Sequence, residues 1–187
     1  MPIECRNLTK SYDGKVVLNQ WNATIPDQGI TAVMGPSGIG KTTLFRLLCE
    51  LEKADSGQID GLDGKKLSVV FQEDRLFPQL TILENLQLAG KDAEKWIQRL
   101  GILDVASQYP GELSGGMKRR AAIGRALCYD GDLFLLDEPF QGLDDWTKRK
   151  VMDIFLELRG HKSILLITHD QREAEYLKAG ILRFYDA

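Results

Sequence analysis

The chain has 187 residues, 43% hydrophobic and 27% charged, which suits one globular domain of the usual ~150-residue scale and excludes a disordered chain. Its 24 basic against 27 acidic residues leave a net charge of −3, so no overall positive field exists to hold a nucleic-acid duplex and no nucleic-acid partner is expected. Cys5, Cys49 and Cys128 are far apart and form no C-x-x-C pair, which points to reduced thiols rather than a disulfide or zinc framework; with no basic-then-apolar leader and no run near the ~20 apolar residues of a membrane span, any membrane role has to come through a partner chain.

In chain order, β-rich runs over 3–8, 16–25 and 30–34, separated by Asp13-Gly14 and Pro26-Asp27, predict three strands. Residues 35–40 break that pattern, and 41–51 then place Leu44, Leu47, Leu48 and Leu51 at helical spacing. Short strands are expected at 58–59 and 67–71, around a polar turn. Residues 81–106 read as a compact helical insert, with Ile82, Leu83, Leu86, Leu88, Trp96, Ile97, Leu100 and Leu103 as its apolar positions. A further helix over 117–127 follows Leu113-Ser114-Gly115-Gly116. The apolar runs 132–136 and 163–167 have the continuous character of central parallel strands. Helices over 146–158 and 171–178 and a last strand over 181–185 complete an α/β chain with a mainly parallel core sheet, whose ligands should sit at the carboxyl ends of the strands.

Gly35-Pro36-Ser37-Gly38-Ile39-Gly40-Lys41-Thr42 matches G-x-x-x-x-G-K-[ST] directly between a strand and a helix. Glycines let the backbone aim several N–H groups at one anion, the helix start adds its positive dipole end, and Lys41 supplies a mobile ammonium for the β- and γ-phosphates. Thr42 is placed for Mg²⁺ and Thr43 for the α-phosphate. The strand ending Leu136-Asp137-Glu138 carries two acids where burial demands a charged partner: Asp137 as a Mg²⁺ ligand, Glu138 to orient or deprotonate the attacking water. Thr168-His169-Asp170 follows the other buried strand in the same register, so His169 is expected to contact the γ-phosphate. This is a P-loop NTPase pattern.

Leu113-Ser114-Gly115-Gly116-Met117 is a second anion-binding helix start, with Ser114 as N-cap. The stretch resembles the signature motif of ABC-type ATPases, and the resemblance covers almost the whole chain in the right order. It implies a P-loop NTPase fold with an N-terminal antiparallel β subdomain and a helical insert: one domain over 1–187, with a nucleotide-binding lobe at 1–72 and 130–187 and a helical lobe at 73–129 carrying the signature. It implies further that Tyr12 stacks on adenine, 35–42 is the Walker A loop, Gln72 is the Q-loop glutamine near Mg²⁺, Asp137 and Glu138 are the Walker B acids, Asp144 is the D-loop acid and His169 the switch histidine. Two copies would dimerise head to tail, Ser114, Gly115, Gly116 and Met117 of one capping ATP held by the other. The insert would dock on integral-membrane permease subunits at the cytoplasmic face and, through them, serve a solute-binding protein.

The resemblance also implies an ATPase, a minimal one without a regulatory C-terminal domain, driving a bacterial importer because no membrane domain is fused. The run Gln72-Glu73-Asp74-Arg75-Leu76-Phe77-Pro78 looks like importers for nitrate, sulfonates, taurine or thiamine precursors. Two departures stand out: Met117 where Gln is usual, which would weaken a contact across the interface, and Gln141-Gly142 where Ser-Ala is common. Competing readings are a soluble non-transport ABC-type ATPase, a weakly hydrolysing nucleotide-gated scaffold and a small-molecule P-loop kinase. Trp21, Trp96 and Trp146 read as packing residues, and Lys118-Arg119-Arg120 as a solvated face or phosphate-side support.

Overall fold

The computed structural model describes residues 1–184; the expected strand end at Tyr185 lies outside them. Strands β1 (Ile3–Tyr12) and β2 (Lys15–Ile25) form a hairpin closed by Asp13 and Gly14, both at positive φ (48° and 79°), the turn that the dipeptide predicts. β4 (Ser56–Asp60) pairs with the other side of β1 to give an antiparallel sheet ordered β2-β1-β4. β1 runs further than the predicted 3–8 because its alternation is interrupted. Register shifts after Cys5 and again after Leu8 let Ile3, Cys5 and Leu8 all face inward, with Asn7 at φ 50° between the last two.

The second sheet is parallel and ordered β5-β6-β7-β3-β8, built from β3 (Gly29–Met34), β5 (Leu67–Val70), β6 (Leu133–Asp137), β7 (Ser163–Ile167) and β8 (Gly180–Arg183). β6 and β7 are buried along their whole length, as expected of strands covered on both faces. The sheet separates two cores. On one face Ala32, Phe134, Leu136, Ile164 and Leu166 pack with the helices of the insert and of the C-terminal half. On the other, Val33, Leu133, Leu135, Leu165 and Ile167 pack with α1 (Lys41–Leu48) and the antiparallel sheet.

The insert contains α2 (Ile82–Gln87), α3 (Ala93–Arg99), two short 3₁₀ turns and α4 (Gly115–Tyr129). Thr81 and Glu84 close a capping box at α2. The buried Asn85 amide accepts from the Phe77 N–H and donates to the carbonyls of Phe77, Leu80 and Thr81, which fastens the segment after β5 to this helix. α5 (Asp145–Leu158) and α6 (Gln171–Tyr176) follow β6 and β7.

Three expected helical positions fall outside the helices. α1 stops at Leu48, and Glu50 turns to φ 55°, so Leu51 leaves the helix and is exposed; Leu88 and Leu103 sit at a helix end and in a 3₁₀ turn, facing solvent. Trp96 is buried and Trp21 stacks on Phe184 at 4.9 Å, but Trp146 is 67% exposed, with the Lys150 ammonium 3.5 Å over its ring. That indole lies in the first turn of α5 and covers no core.

Candidate active site

The carboxyl ends of β3, β5 and β6 bring the phosphate loop, Gln72 and the two acids to one edge of the parallel sheet. They surround a cavity of about 330 Å³ lined by Tyr12, Ser37, Gly38, Gly40, Lys41, Thr42, Thr43, Gln72, Asp137 and Glu138, with Val17 and Ile167 as its apolar walls. A larger depression of about 460 Å³ beside Met1, Asp27, Lys65 and His161 has neither a phosphate-loop residue nor Asp137 or Glu138 in its wall. Its Asp27 carboxylate is already paired with Lys65 and the chain's amino group.

Within the loop, Gly38 and Gly40 have φ 79° and 115°, and a Cβ on Gly40 would meet Val17 at 3.1 Å. Glycine is required at both for the chain to curl tightly into α1. Gly35 and Pro36 turn their carbonyls toward the Lys41 ammonium at 2.7 and 2.8 Å, and Ile39 packs beneath the loop against the second core. Thr43 is buried and Thr42 exposed at the mouth. Tyr12, 37% exposed, donates its hydroxyl to Glu52 and keeps its ring at the cavity rim, where an adenine could stack.

Asp137 is 5% exposed, and its carboxyl is pushed up to about 6 by burial first and by the neighbouring Glu138 charge second. An acid held there beside a hydroxyl and an amide oxygen fits a hard cation that takes oxygen ligands, keeps waters and shares phosphate oxygens. Among the described residues no cluster of three His, Cys, Asp or Glu exists. Thr42, Gln72 and Asp137 are oxygen donors of the kind such a cation takes.

Glu138 stands at φ 47° with its N–H donating to Ile167 O at 3.0 Å, and its Oε1 lies 2.9 Å from His169 Nδ1. That contact, more than any other, raises the His169 pKa above the ordinary value. His169 is exposed and reaches the site through Glu138 without itself lining the cavity. Behind it lies a buried charge chain that the sequence reading missed. Glu173, 5% exposed, accepts from Thr168 Oγ1 at 2.6 Å and from Lys148 Nζ at 2.7 Å, which ties the histidine segment to α5.

Asp144 caps α5, accepting from the N–H groups of Trp146 and Thr147 at 3.1 and 3.0 Å, and these bonds lower its pKa. Ser114 caps α4, its Oγ accepting from Met117 N–H at 3.3 Å; Ser114 and Gly115 are exposed, and Gly116 faces the Gly142 carbonyl. Gly142 itself stands at φ 78°, the left-handed region that favours glycine. Met117 is half-buried against the first core. Neither Asp144 nor any of Ser114, Gly115, Gly116 and Met117 lines the phosphate cavity.

Arg119 departs from the expected solvated face: it is 3% exposed, and its guanidinium is bonded to the carbonyls of Phe71, Asp137 and Pro139. The signal for it was present, since Arg119 shares a helix face with Ala122, Ile123 and Ala126, all buried.

A parallel sheet with a glycine phosphate loop and paired strand-end acids defines a P-loop nucleoside triphosphatase. A family model described as ABC transporter matches residues 18–141. The aliphatic sulfonates import ATP-binding protein SsuB 1 of Paracoccus denitrificans is 39% identical over 194 residues, spanning 98% of this chain and 79% of its own length. SsuB 2 of Pseudomonas syringae is 38% identical, spanning 92% of this chain and 78% of its own. Among solved structures, a dimeric post-hydrolysis state of the ATP-binding cassette MJ0796 bound to ADP and Pi matches with TM-score 0.86 and 28% identity over 97% of this chain and 94% of that one. The chain belongs to the ABC transporter ATP-binding family. It is the ATP-binding, ATP-hydrolysing subunit that powers a membrane transporter.

Proposed function

We propose that this ATPase drives an importer of small organic anions, with aliphatic sulfonates as the leading candidates, and that it works at the cytoplasmic face of the membrane with a solute-binding protein delivering cargo to the permease. The import role in the names of the SsuB relatives supports that reading. The two-lobe division at residues 73 and 130 belongs to the same proposal, with the helical lobe as the docking surface for the permease.

The observation that carries the chemistry is the single cavity shared by Lys41, Thr42, Gln72, Asp137 and Glu138. In this reading the N–H groups of 35–42 and the Lys41 ammonium grip the β- and γ-phosphates, and Tyr12 stacks on the adenine. Thr42, Gln72 and Asp137 would hold Mg²⁺, which supplies charge neutralisation for the phosphates. Glu138 orients the attacking water and takes its proton, while His169, hydrogen-bonded to Glu138, holds that carboxylate and reads the γ-phosphate. Ser114, Gly115, Gly116 and Met117, with Asp144 beside them, serve the partner copy's nucleotide.

The test is Glu138→Gln, which keeps the shape and hydrogen-bonding reach of the side chain and removes its basicity. Turnover should fall by at least about 100-fold with ATP affinity kept, and sedimentation should show an ATP-bound dimer accumulating. Undiminished hydrolysis would remove Glu138 from the water-activating role.

A further inference from the structure

Arg119 reaches from the second turn of α4 into the space behind the two acids, and acceptors surround its guanidinium. Nε donates to Pro139 O at 3.0 Å; Nη1 donates to Phe71 O at 2.5 Å and Gln72 O at 3.2 Å; Nη2 donates to Asp137 O at 2.7 Å and Glu138 O at 2.6 Å. Asp74 Oδ1, 3.4 Å from Nη1, supplies a carboxylate nearby. The five carbonyls come from two segments only, the residues just after β5 and those closing β6. These strands are parallel neighbours, Val70 opposite Leu136, so their ends emerge side by side. One rigid planar fork therefore binds three pieces of chain together: the helix that begins at Ser114, the Gln72 segment and the Glu138 turn. A lysine, with one nitrogen on a flexible stem, cannot span the same set.

What the fork holds is strained. Glu138 sits in the left-handed region, where a side-chain-bearing residue stays only if its surroundings over-determine it. Its N–H is taken by Ile167 O, its carbonyl accepts from Arg119 and from the Gln141 N–H, and its carboxylate points to His169. Without Arg119 these carbonyls lose a charged donor, the Glu138 carbonyl keeping only the Gln141 N–H at 3.2 Å, and relaxation of the Glu138 turn is the direct way to regain bonds.

We propose that Arg119 is a positioning residue for hydrolysis: its guanidinium fixes the Glu138 turn and locks it to the Gln72 backbone, so that the carboxylate faces the phosphate cavity only while α4 and the Gln72 segment keep their places. This rests on the reading of Glu138 as the water-activating acid. It adds a link by which a shift of the helical insert reaches the reacting carboxylate through one side chain.

The variants are Arg119→Gln and Arg119→Lys. Both should lose at least about tenfold in kcat while KM for ATP and the affinity for a fluorescent ATP analogue stay within about twofold, the pattern of an interaction that serves the transition state rather than binding. The second readout is the titration of the two histidines, His161 and His169, followed by NMR without nucleotide or magnesium. The acids acting on His169 are Glu138, Glu173 and Asp170. Deleting a nearby cation by itself would raise the His169 pKa, whereas loss of the Glu138 placement lowers it toward the ordinary value, with His161 unmoved. Arg119→Lys keeps the charge, so any downward shift there is geometric, and it carries the same readings should Arg119→Gln fail to fold. An unchanged or raised His169 pKa, or kcat retained in both variants while Glu138→Gln is inactive, overturns the inference and leaves the role of Glu138 standing. Full turnover in Glu138→Gln defeats that role instead, and the histidine titration still reports whether Arg119 sets the carboxylate.

Discussion

Two helices of this chain begin on glycine-rich turns with free N–H groups, and they are finished differently. α1 starts from Gly40, which offers no side-chain cap, and its first turn opens into a cavity with a lysine and two acids. α4 starts from Ser114, whose own hydroxyl takes the Met117 N–H, and its first residues face solvent and line no part of that cavity. A helix start left uncapped by its own sequence is one whose orphan donors are reserved for an anion. A self-capped start holds its shape unaided and can present its N–H groups to another molecule. On the proposed reading, the first belongs to the chain's own nucleotide and the second to its partner's.

The largest expected effect is at α1. Lys41→Ala should weaken nucleotide binding by at least roughly 100-fold, because a charge-assisted contact to phosphate is lost; a fluorescent-nucleotide titration that shows no change would erase the contrast between the two helices.

Next comes the cost of keeping an acid at the α1 cavity. The Asp137 pKa is raised from 3.8 to about 6, so the folded chain binds more protons than the unfolded one, and this group's contribution to stability falls as pH rises from about 4 to 6 and stays low above. Asp137→Asn should therefore be more stable than the parent by up to about 3 kcal/mol at pH 7 to 8, with the difference fading below pH 4. Paired urea titrations without nucleotide or magnesium across that range measure it, and a gap that widened toward acid pH would have the wrong sign.

At α4, Ser114→Arg should leave the affinity of a single chain for ATP within about twofold yet cut turnover roughly tenfold or more, since it blocks a surface used between copies. Equal losses in both assays would mean that the two helices serve one site. Smallest of all is Met117→Gln: Met117 is packed half-buried against the core, so the amide gained must first leave that packing, and phosphate-release rates should change by less than about threefold.

The α1 side of this comparison was the more legible in the sequence. A glycine loop between a buried strand and a helix, and two acids closing a run of apolar residues, are local patterns, and β3, β6 and β7 place them at one sheet edge as strand logic demands. The α4 side was readable as a helix start, but its grip on the rest of the site was not. Arg119 finds its acceptors 18 to 48 residues away in sequence, and carbonyls carry no residue-type signal. Glu173 likewise looks like a surface acid until Lys148 is brought to it by α5. Trp146 misled for the opposite reason: a large apolar side chain suggests burial, yet in the first turn of α5 it is 67% exposed with a lysine over its ring. Leu88 and Leu103 misled in the same way, because apolar spacing persists past the point where a helix ends.

The first core has a mechanical consequence. Ile82, Leu86, Trp96 and Ile97 of the insert belong to the same apolar cluster as Phe134, Leu136 and Ile164 of the parallel sheet. Side chains of the insert pack directly on the sheet there, so movement of the insert has to disturb that packing. Any displacement has to be a sliding of interlocked side chains by small steps, and heating should melt both parts in one cooperative transition.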